Sequence, residues 1–233
     1  CAHALAIGGA DVALVARRGE RLNAVADELT GSYKVRALPI AADITIEAEL
    51  DRIVAETVAG LGEIDILVNN AGIAPTGRAE KYSREKWDAA MALNVTAPMM
   101  LSQKVARRLI ELKRPGRIIN VTSILAYVGS AVYRLVGYTA SKAALANLTR
   151  QLAIEWAQYG ILVNAIAPGW IPTEATEGGI AKPGNRERME SLTPMGRLGK
   201  PEEIRGAVIF LAGAASSYVT GSVLSVDGGY LSW

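Results

Sequence analysis

Short apolar runs recur along the chain, separated by longer stretches in which apolar positions return every three or four residues. The runs Asp11–Ala16 (DVALVA), Val35–Ile40, Asp65–Val68 (DILV), Arg117–Val121, Ile161–Ile166 and Val223–Val226 predict strands. The periodic stretches Glu20–Leu29, Glu47–Leu61, Ser83–Ile110, Tyr138–Tyr159 and Glu202–Leu211 predict helices. Gly62 and Gly160 close two of these helices, Pro115-Gly116 breaks a third, and Pro201 suits a first helical turn. The first residues read as the tail of a helix that ends at Gly8 or Gly9. The strands are apolar throughout rather than alternating, which predicts a parallel sheet covered by helices on both faces. The alternation of the two element types predicts right-handed crossovers, hence a doubly wound α/β fold. No linker or repeat interrupts it, so residues 1–233 read as one domain. Gly169–Gly199 has no strong periodicity and follows a strand, which marks it as an irregular excursion and a candidate lid.

Composition narrows the function. The chain has 233 residues, half of them hydrophobic, enough for a substantial core. Twenty-five Lys and Arg against 23 Asp and Glu leave a net charge of +2, which gives no electrostatic case for nucleic acid or an anionic membrane. No uncharged apolar run approaches membrane-spanning length. The single His, His3, excludes a His-based triad or a multi-His metal site further along the chain, and no metal is expected. The single Cys, Cys1, excludes an intrachain disulfide and suits a reducing, cytoplasmic setting.

One spacing carries chemistry. Tyr138-Thr-Ala-Ser-Lys142 puts a phenol and an ammonium on one helix face. A free tyrosine titrates near pH ~10, and a neighbouring cation stabilises its anion, so the pair suits general acid–base work on a ketone or alcohol. The pair alone also fits an exposed helix that bears an incidental Tyr and Lys. Ser123 ends the strand run RIINVTS, at a C-terminal strand end where α/β sites form, and its hydroxyl suits a substrate oxygen that gains charge. It equally fits a capping role in the next turn, and Thr122 competes for the position. Asn69-Asn70-Ala71-Gly72 follows another strand, as a close ligand approach or an ordinary turn. Asn94 and Pro98 sit inside a helical stretch and predict a bend there with an exposed carbonyl suited to water, or a plain proline kink.

In order along the chain, ALVARR (13–18), AADIT (41–45), DILVNNAG (65–72), LNV (93–95), RIINVTS (117–123), YTASKAAL (138–145), VNAIAPGWIPT (163–173), GRLGKPEEI (196–204) and YVTGSVLSVDGGY (218–230) resemble the short-chain dehydrogenase/reductase family. The resemblance covers nearly the whole chain and implies a single Rossmann-like domain. It implies a catalytic tetrad of Asn94, Ser123, Tyr138 and Lys142. Tyr138 would be the acid/base, Ser123 would polarise the substrate oxygen, Lys142 would lower the Tyr pKa and bind the nicotinamide ribose, and Asn94 would support a water relay. Asp43 and Ile44 match positions that contact adenine, and Asn70, Ala71 and Gly72 match the cofactor lining. Pro168, Gly169, Ile171 and Thr173 match the segment that holds the nicotinamide end.

Cofactor choice follows from the end of the strand 11–16. An NAD site there usually offers an acidic residue to the ribose 2′-hydroxyl. Here Ala16 is followed by Arg17 and Arg18, whose guanidinium groups suit a 2′-phosphate, so NADP is expected over NAD. Two departures stand out. The interval from Ser123 to Tyr138 is longer than the family's usual one, which enlarges a loop at the substrate mouth. The family's first strand and its T-G-x-x-x-G-x-G turn are not matched, and the expectation is that the sequence is an N-terminally truncated piece of a longer protein. The expected function is hydride transfer between NADP(H) and a ketone or secondary alcohol, on a small polar hydroxy or keto compound. Members of the family that look similar include sugar-acid dehydrogenases, such as those of the gluconate 5-dehydrogenase kind, and 3-oxoacyl carrier-protein reductases. The alternative is a cofactor-sensing or scaffolding protein on the same fold. The family implies a homo-oligomer, a tetramer or dimer. The stripe Leu145, Leu148, Leu152 and Trp156 is either core or subunit interface, with core as the default.

Overall fold

The six apolar runs form six strands in the computed structural model, which describes residues 1–232. These are β1 (Val12–Ala16), β2 (Ala37–Ala41), β3 (Ile66–Asn69), β4 (Gly116–Val121), β5 (Ile161–Pro168) and β6 (Val223–Val226). All ladders are parallel, in the orders β1-β2 and β3-β4-β5-β6. No ladder joins β1 to β3 among the described residues.

Nine helices run between the strands among the described residues: α1 (Ala2–Ile7), α2 (Gly19–Tyr33), α3 (Glu47–Leu61), α4 (Arg84–Met91), α5 (Ala97–Glu111), α6 (Val136–Trp156), α7 (Glu174–Ile180), α8 (Asn185–Ser191) and α9 (Arg205–Ala212). Adjacent β4 residues show why both sheet faces are apolar. Ile118 packs with Val105, Leu109 and Leu152 of α5 and α6, whereas Ile119 packs with Ala4 of α1 and Val208 and Leu211 of α9. The pleat sends neighbouring side chains to opposite faces, so each strand needs apolar residues at every position. The Leu145, Leu148, Leu152 and Trp156 stripe of α6 faces this interior: Leu145 and Leu152 are buried, and Leu148 and Trp156 pack against the α5–α6 cluster. The β1-β2 pair is tied to the larger sheet by side chains, since Ala13, Val15 and Ile40 share a cluster with Leu67 of β3 and Leu101 of α5.

Three expectations are corrected. The stretch 83–110 is not one helix, because a wide π-helical turn at Ala92–Thr96 separates α4 from α5. Pro98 lacks the N–H that an α-helix would aim at the Asn94 carbonyl, so the regular ladder cannot run through this point. The excursion after β5 is not irregular, since it contains α7 and α8. Each is only seven residues long, too short to show a period. Ile180, Met189 and Leu198 anchor this segment to Val132, Tyr133 and Trp170. The last helix begins with a tight 3₁₀ turn over Pro201–Ile204 before α9 proper.

Parallel strands bring every C-terminal end to one edge. Arg17, Asp43, Asn70, Thr122 and Gly169 therefore leave β1 to β5 on the same side of the molecule. A buried polar relay fixes the middle of that edge. The Asn69 amide donates to Asn120 Oδ1 (2.8 Å) and Ser102 Oγ (3.0 Å), and the Asn120 amide donates to Thr149 Oγ1 (2.9 Å). These bonds join β3, β4, α5 and α6 where no water reaches. Replacing Asn120 by Ala strands one N–H of the Asn69 amide, which keeps its bond to Ser102, and opens a small cavity. We expect Asn120→Ala to lose about 2–4 kcal/mol in urea unfolding; a loss below about 0.5 kcal/mol would show that the relay does not stabilise the fold.

Candidate functional site

The cleft at the strand ends is built around one buried amine. Lys142 lies in the second turn of α6 and is 3% exposed. Its Nζ donates to the Val121 carbonyl at the end of β4 (2.7 Å) and lies 5.7 Å from the centre of the Tyr138 ring. Burial pushes its pKa down from 10.5 to about 8. Burial pushes the Tyr138 phenol in the opposite direction, upward, and the Ser123 hydroxyl beside it partly offsets this. Desolvation is the larger effect on the phenol.

Ser123 takes the capping role. Its Oγ accepts the Leu125 N–H (3.1 Å), capping the turn at Ile124–Ala126, while its own O–H remains available to donate. Thr122 is turned into the sheet, where its hydroxyl donates to the Ile166 carbonyl (2.9 Å). The strand pleat thus removes the competitor and leaves Ser123 facing Tyr138.

Asn94 sits in the π-helical turn, fully buried. Its Oδ1 accepts the Ile73 N–H (2.9 Å), and its Nδ2 donates to the Ile73 carbonyl and to Ser141 Oγ (2.9 Å each). Ser141 Oγ in turn donates to the Tyr138 carbonyl (2.8 Å). Asn94 thereby ties the loop after β3 to the helix that carries Tyr138 and Lys142. Gly72 passes between them: a Cβ there would lie 3.2 Å from Asn94 Oδ1 and 3.4 Å from Lys142 Nζ. The bare backbone leaves a shallow floor above the amine, and Asn70 and Ala71 beside it are exposed.

The remaining candidate residues line the same edge. Asp43 accepts from Thr45 N (2.9 Å) and Oγ1 (2.7 Å), which holds its carboxyl below the usual range, with a smaller contribution from the charge of Arg17. Ile44 packs into the cluster that joins the two sheets. Pro168 closes β5, and the Gly169 N–H bonds to Val226 (3.0 Å), with no room for a Cβ against Asp227. The Ile171 carbonyl accepts from Thr176 Oγ1 (3.0 Å), and Thr173 caps α7 in a reciprocal pair with Thr176. Arg17 is exposed. Arg18 is paired within the chain: its Nη1 and Nη2 donate to Glu174 Oε1 (3.1 Å) and Oε2 (3.4 Å), and Arg21 shares the same carboxylate.

Opposite the phenol, Tyr133, Trp170 and Tyr230 form an edge-to-face row, with centroids 5.9 and 6.0 Å apart. They share an apolar cluster with Tyr138, Ile124 and Leu135. The indole N–H of Trp170 is buried with no partner. Tyr133 comes from the segment between Ser123 and Tyr138.

The sequence reading missed several participants. Ser141 lies inside the Tyr138–Lys142 motif and was findable as a third residue on that helix. The carbonyl of Val121 and the backbone of Ile73 carry no sequence signal. Glu174 and Arg21 meet across 153 residues, which no local spacing reveals. Among the described residues no group of three or more His, Cys, Asp or Glu could hold a metal ion, and no helix is long and apolar enough to cross a membrane.

Comparison with known proteins gives the family. A family profile described as Enoyl-(Acyl carrier protein) reductase matches residues 1–231. The chain is 41% identical to a 2-dehydro-3-deoxy-D-gluconate 5-dehydrogenase of Dickeya dadantii, over 84% of this chain and 77% of that enzyme. It is 38% identical to a gluconate 5-dehydrogenase of Gluconobacter oxydans, over 98% of this chain and 88% of that enzyme. Among solved structures, a gluconate 5-dehydrogenase from Burkholderia cenocepacia in complex with NADP and tartrate superposes with a TM-score of 0.93 at 34% identity, covering 100% of this chain and 89% of that one. A β4 end carrying Ser123, a helix carrying Tyr138 and Lys142, and a π-turn carrying Asn94 are thus set in a chain that belongs to the short-chain dehydrogenase/reductase family of oxidoreductases.

Proposed function

We propose that the chain interconverts a secondary alcohol and a ketone with NADP(H), on a small polar hydroxy or keto compound of the sugar-acid kind. The observation that carries the reading is the arrangement of Tyr138, Ser123 and Lys142 at the end of β4. Gluconate-type dehydrogenases among the relatives, and the NADP bound in similar solved structures, support the substrate and cofactor classes. The chain's own residues fit the dinucleotide: the Gly72 floor leaves space that a Cβ would fill, Lys142 keeps two N–H donors beyond its bond to Val121, and Arg17 stands exposed after β1. When bound, the nicotinamide supplies or accepts the hydride.

The side chains handle the proton and the oxygen. Tyr138 gives its phenolic proton to the carbonyl oxygen during reduction and takes it back during oxidation. Ser123 donates to the same oxygen and favours the charge that develops on it. Lys142, as an ammonium, stabilises the tyrosinate left after proton transfer. A phenol that starts high in pKa holds its proton until then, which suits the acid role. Asn94 fixes the loop at Ile73 and the helix at Ser141, which sets the angle between the Gly72 floor and the Tyr138 phenol. Assembly as a homodimer or homotetramer belongs to the same proposal, because Ile154, Ile209 and Phe210 are exposed apolar side chains.

Three outcomes are expected. Tyr138→Phe keeps its cofactor Kd and loses about 10²–10⁴-fold in kcat; a variant with full kcat in a panel of polyols and sugar acids would refute the assignment. Lys142→Met loses activity yet gains stability. The fall of the lysine pKa from 10.5 to about 8 corresponds to about 3 kcal/mol against folding while the amine is charged. Because the folded value lies below the unfolded one, that cost is complete below pH 8 and fades toward pH 10.5. Allowing for the lost bond to Val121, urea unfolding at neutral pH should show a gain of about 1–3 kcal/mol that shrinks between those two values. A Met variant less stable than wild type at neutral pH would contradict it. Light scattering of the purified protein should give the mass of a dimer or tetramer, and a single-chain mass at working concentration would remove the oligomer from the proposal.

A further inference from the structure

Two of the arginines that follow β1, Arg18 and Arg21, are already engaged, and what engages them comes from the far side of the cleft. Arg18 lies just before α2 and Arg21 lies in its first turn. Both donate to the single carboxylate of Glu174, the first residue of α7, across 156 and 153 residues of chain. Glu174 follows Thr173 directly, so the contact spans from the residues placed for the cofactor's 2′-phosphate to the segment placed for its nicotinamide end. The carboxylate is strongly acidic, with a pKa of about 2, because of these two guanidinium groups, and it is an anion at any working pH. A carboxylate offers a guanidinium the same pair of oxygens that a phosphate does. The N-terminus of α2 adds its own partial positive charge at this point. All three side chains remain more than half exposed, so solvent screens the pairing and an incoming dianion can displace it.

We propose that Glu174 is an internal stand-in for the 2′-phosphate: it occupies the anion site of Arg18 and Arg21 in the unliganded chain, yields Arg18 when NADP(H) binds, and so tunes cofactor choice while coupling α7 to cofactor occupancy. The inference rests on the NADP reading above and adds a specificity-determining residue to it. NADH has no group to compete for Arg18, so it leaves the Glu174 contact in place. Glu174 therefore weakens NADPH binding and is close to neutral for NADH.

The test is binding of NADPH and NADH, followed by the fluorescence of the reduced nicotinamide, in wild type and Glu174→Gln. Glutamine preserves the size of an exposed side chain, and thermal melting confirms that the variant folds. The Kd for NADPH should fall about two- to fivefold, the scale of an exposed ion pair, with the Kd for NADH changed by less than that. Hydrogen exchange supplies an independent reading: saturating NADPH should raise exchange in residues 174–180 of wild type relative to saturating NADH, and the difference should vanish in Glu174→Gln. Equal changes for both cofactors, or weaker NADPH binding by the variant, would overturn the inference while leaving the NADP reading intact. Tighter binding of NADH than of NADPH by wild type would instead overturn the NADP reading, and this inference with it.

Discussion

A primary amine is costly to bury, and Lys142 is buried almost completely with a single protein acceptor, the Val121 carbonyl. Much of the cleft is arranged around that fact. The acceptor is available because β4 ends there and its last carbonyl needs no ladder partner beyond β5. The helix that brings the amine is held at its other side by Ser141 and Asn94. The loop that passes over it must present a glycine, since a side chain at Gly72 would press on both Asn94 and Lys142. The amine's lowered pKa is the electrostatic trace of this arrangement.

The π-helical turn is a second consequence of the same site. Without it the loop after β3 would lose its bonds to Asn94 and keep those to Tyr82, Lys86 and Arg134. Widening the turn at Ala92–Thr96 lets Asn94 reach both the N–H and the carbonyl of Ile73 while its amide also reaches Ser141. One side chain thereby supplies three bonds, two to a loop 21 residues before it and one to a helix residue 47 residues after it. The polar relay of Asn69, Asn120 and Thr149 repeats the device one layer deeper, where it holds the ends of β3 and β4 level. The strand-end edge is therefore tied by buried bonds on its floor, whereas at its rim α7 meets Arg18 and Arg21 through an exposed ion pair.

Local pattern determined much. Continuous apolar runs marked the six strands, because residues buried on both faces leave no polar alternation to confuse with anything else. Gly62 and Gly160, at φ +96° and +74°, stop their helices because few other residues adopt those angles. The spacing of Tyr138 and Lys142 placed two groups on one helix face, as a period of 3.6 requires. The ordered segments from ALVARR to YVTGSVLSVDGGY carried the family. Boundaries slipped where distant contacts decide them: α2 runs on through Gly31 to Tyr33 because Tyr33 packs on the α1–α2 cluster and meets His3.

What the tertiary structure decided is where groups distant in sequence come to share an environment. The direction of the Tyr138 pKa shift depends on how much water the fold removes from the phenol, which no spacing encodes. The choice of Ser123 over Thr122 depends on which face of β4 meets Ile166 of β5. The engagement of Arg18 depends on α7 folding back across the cleft, a helix too short to announce itself and a partner 156 residues away. Secondary structure and motif chemistry follow from near neighbours along the chain, so the sequence by itself could specify them. Desolvation and ion pairing follow from neighbours in space, which exist only once the strands have lined up their ends.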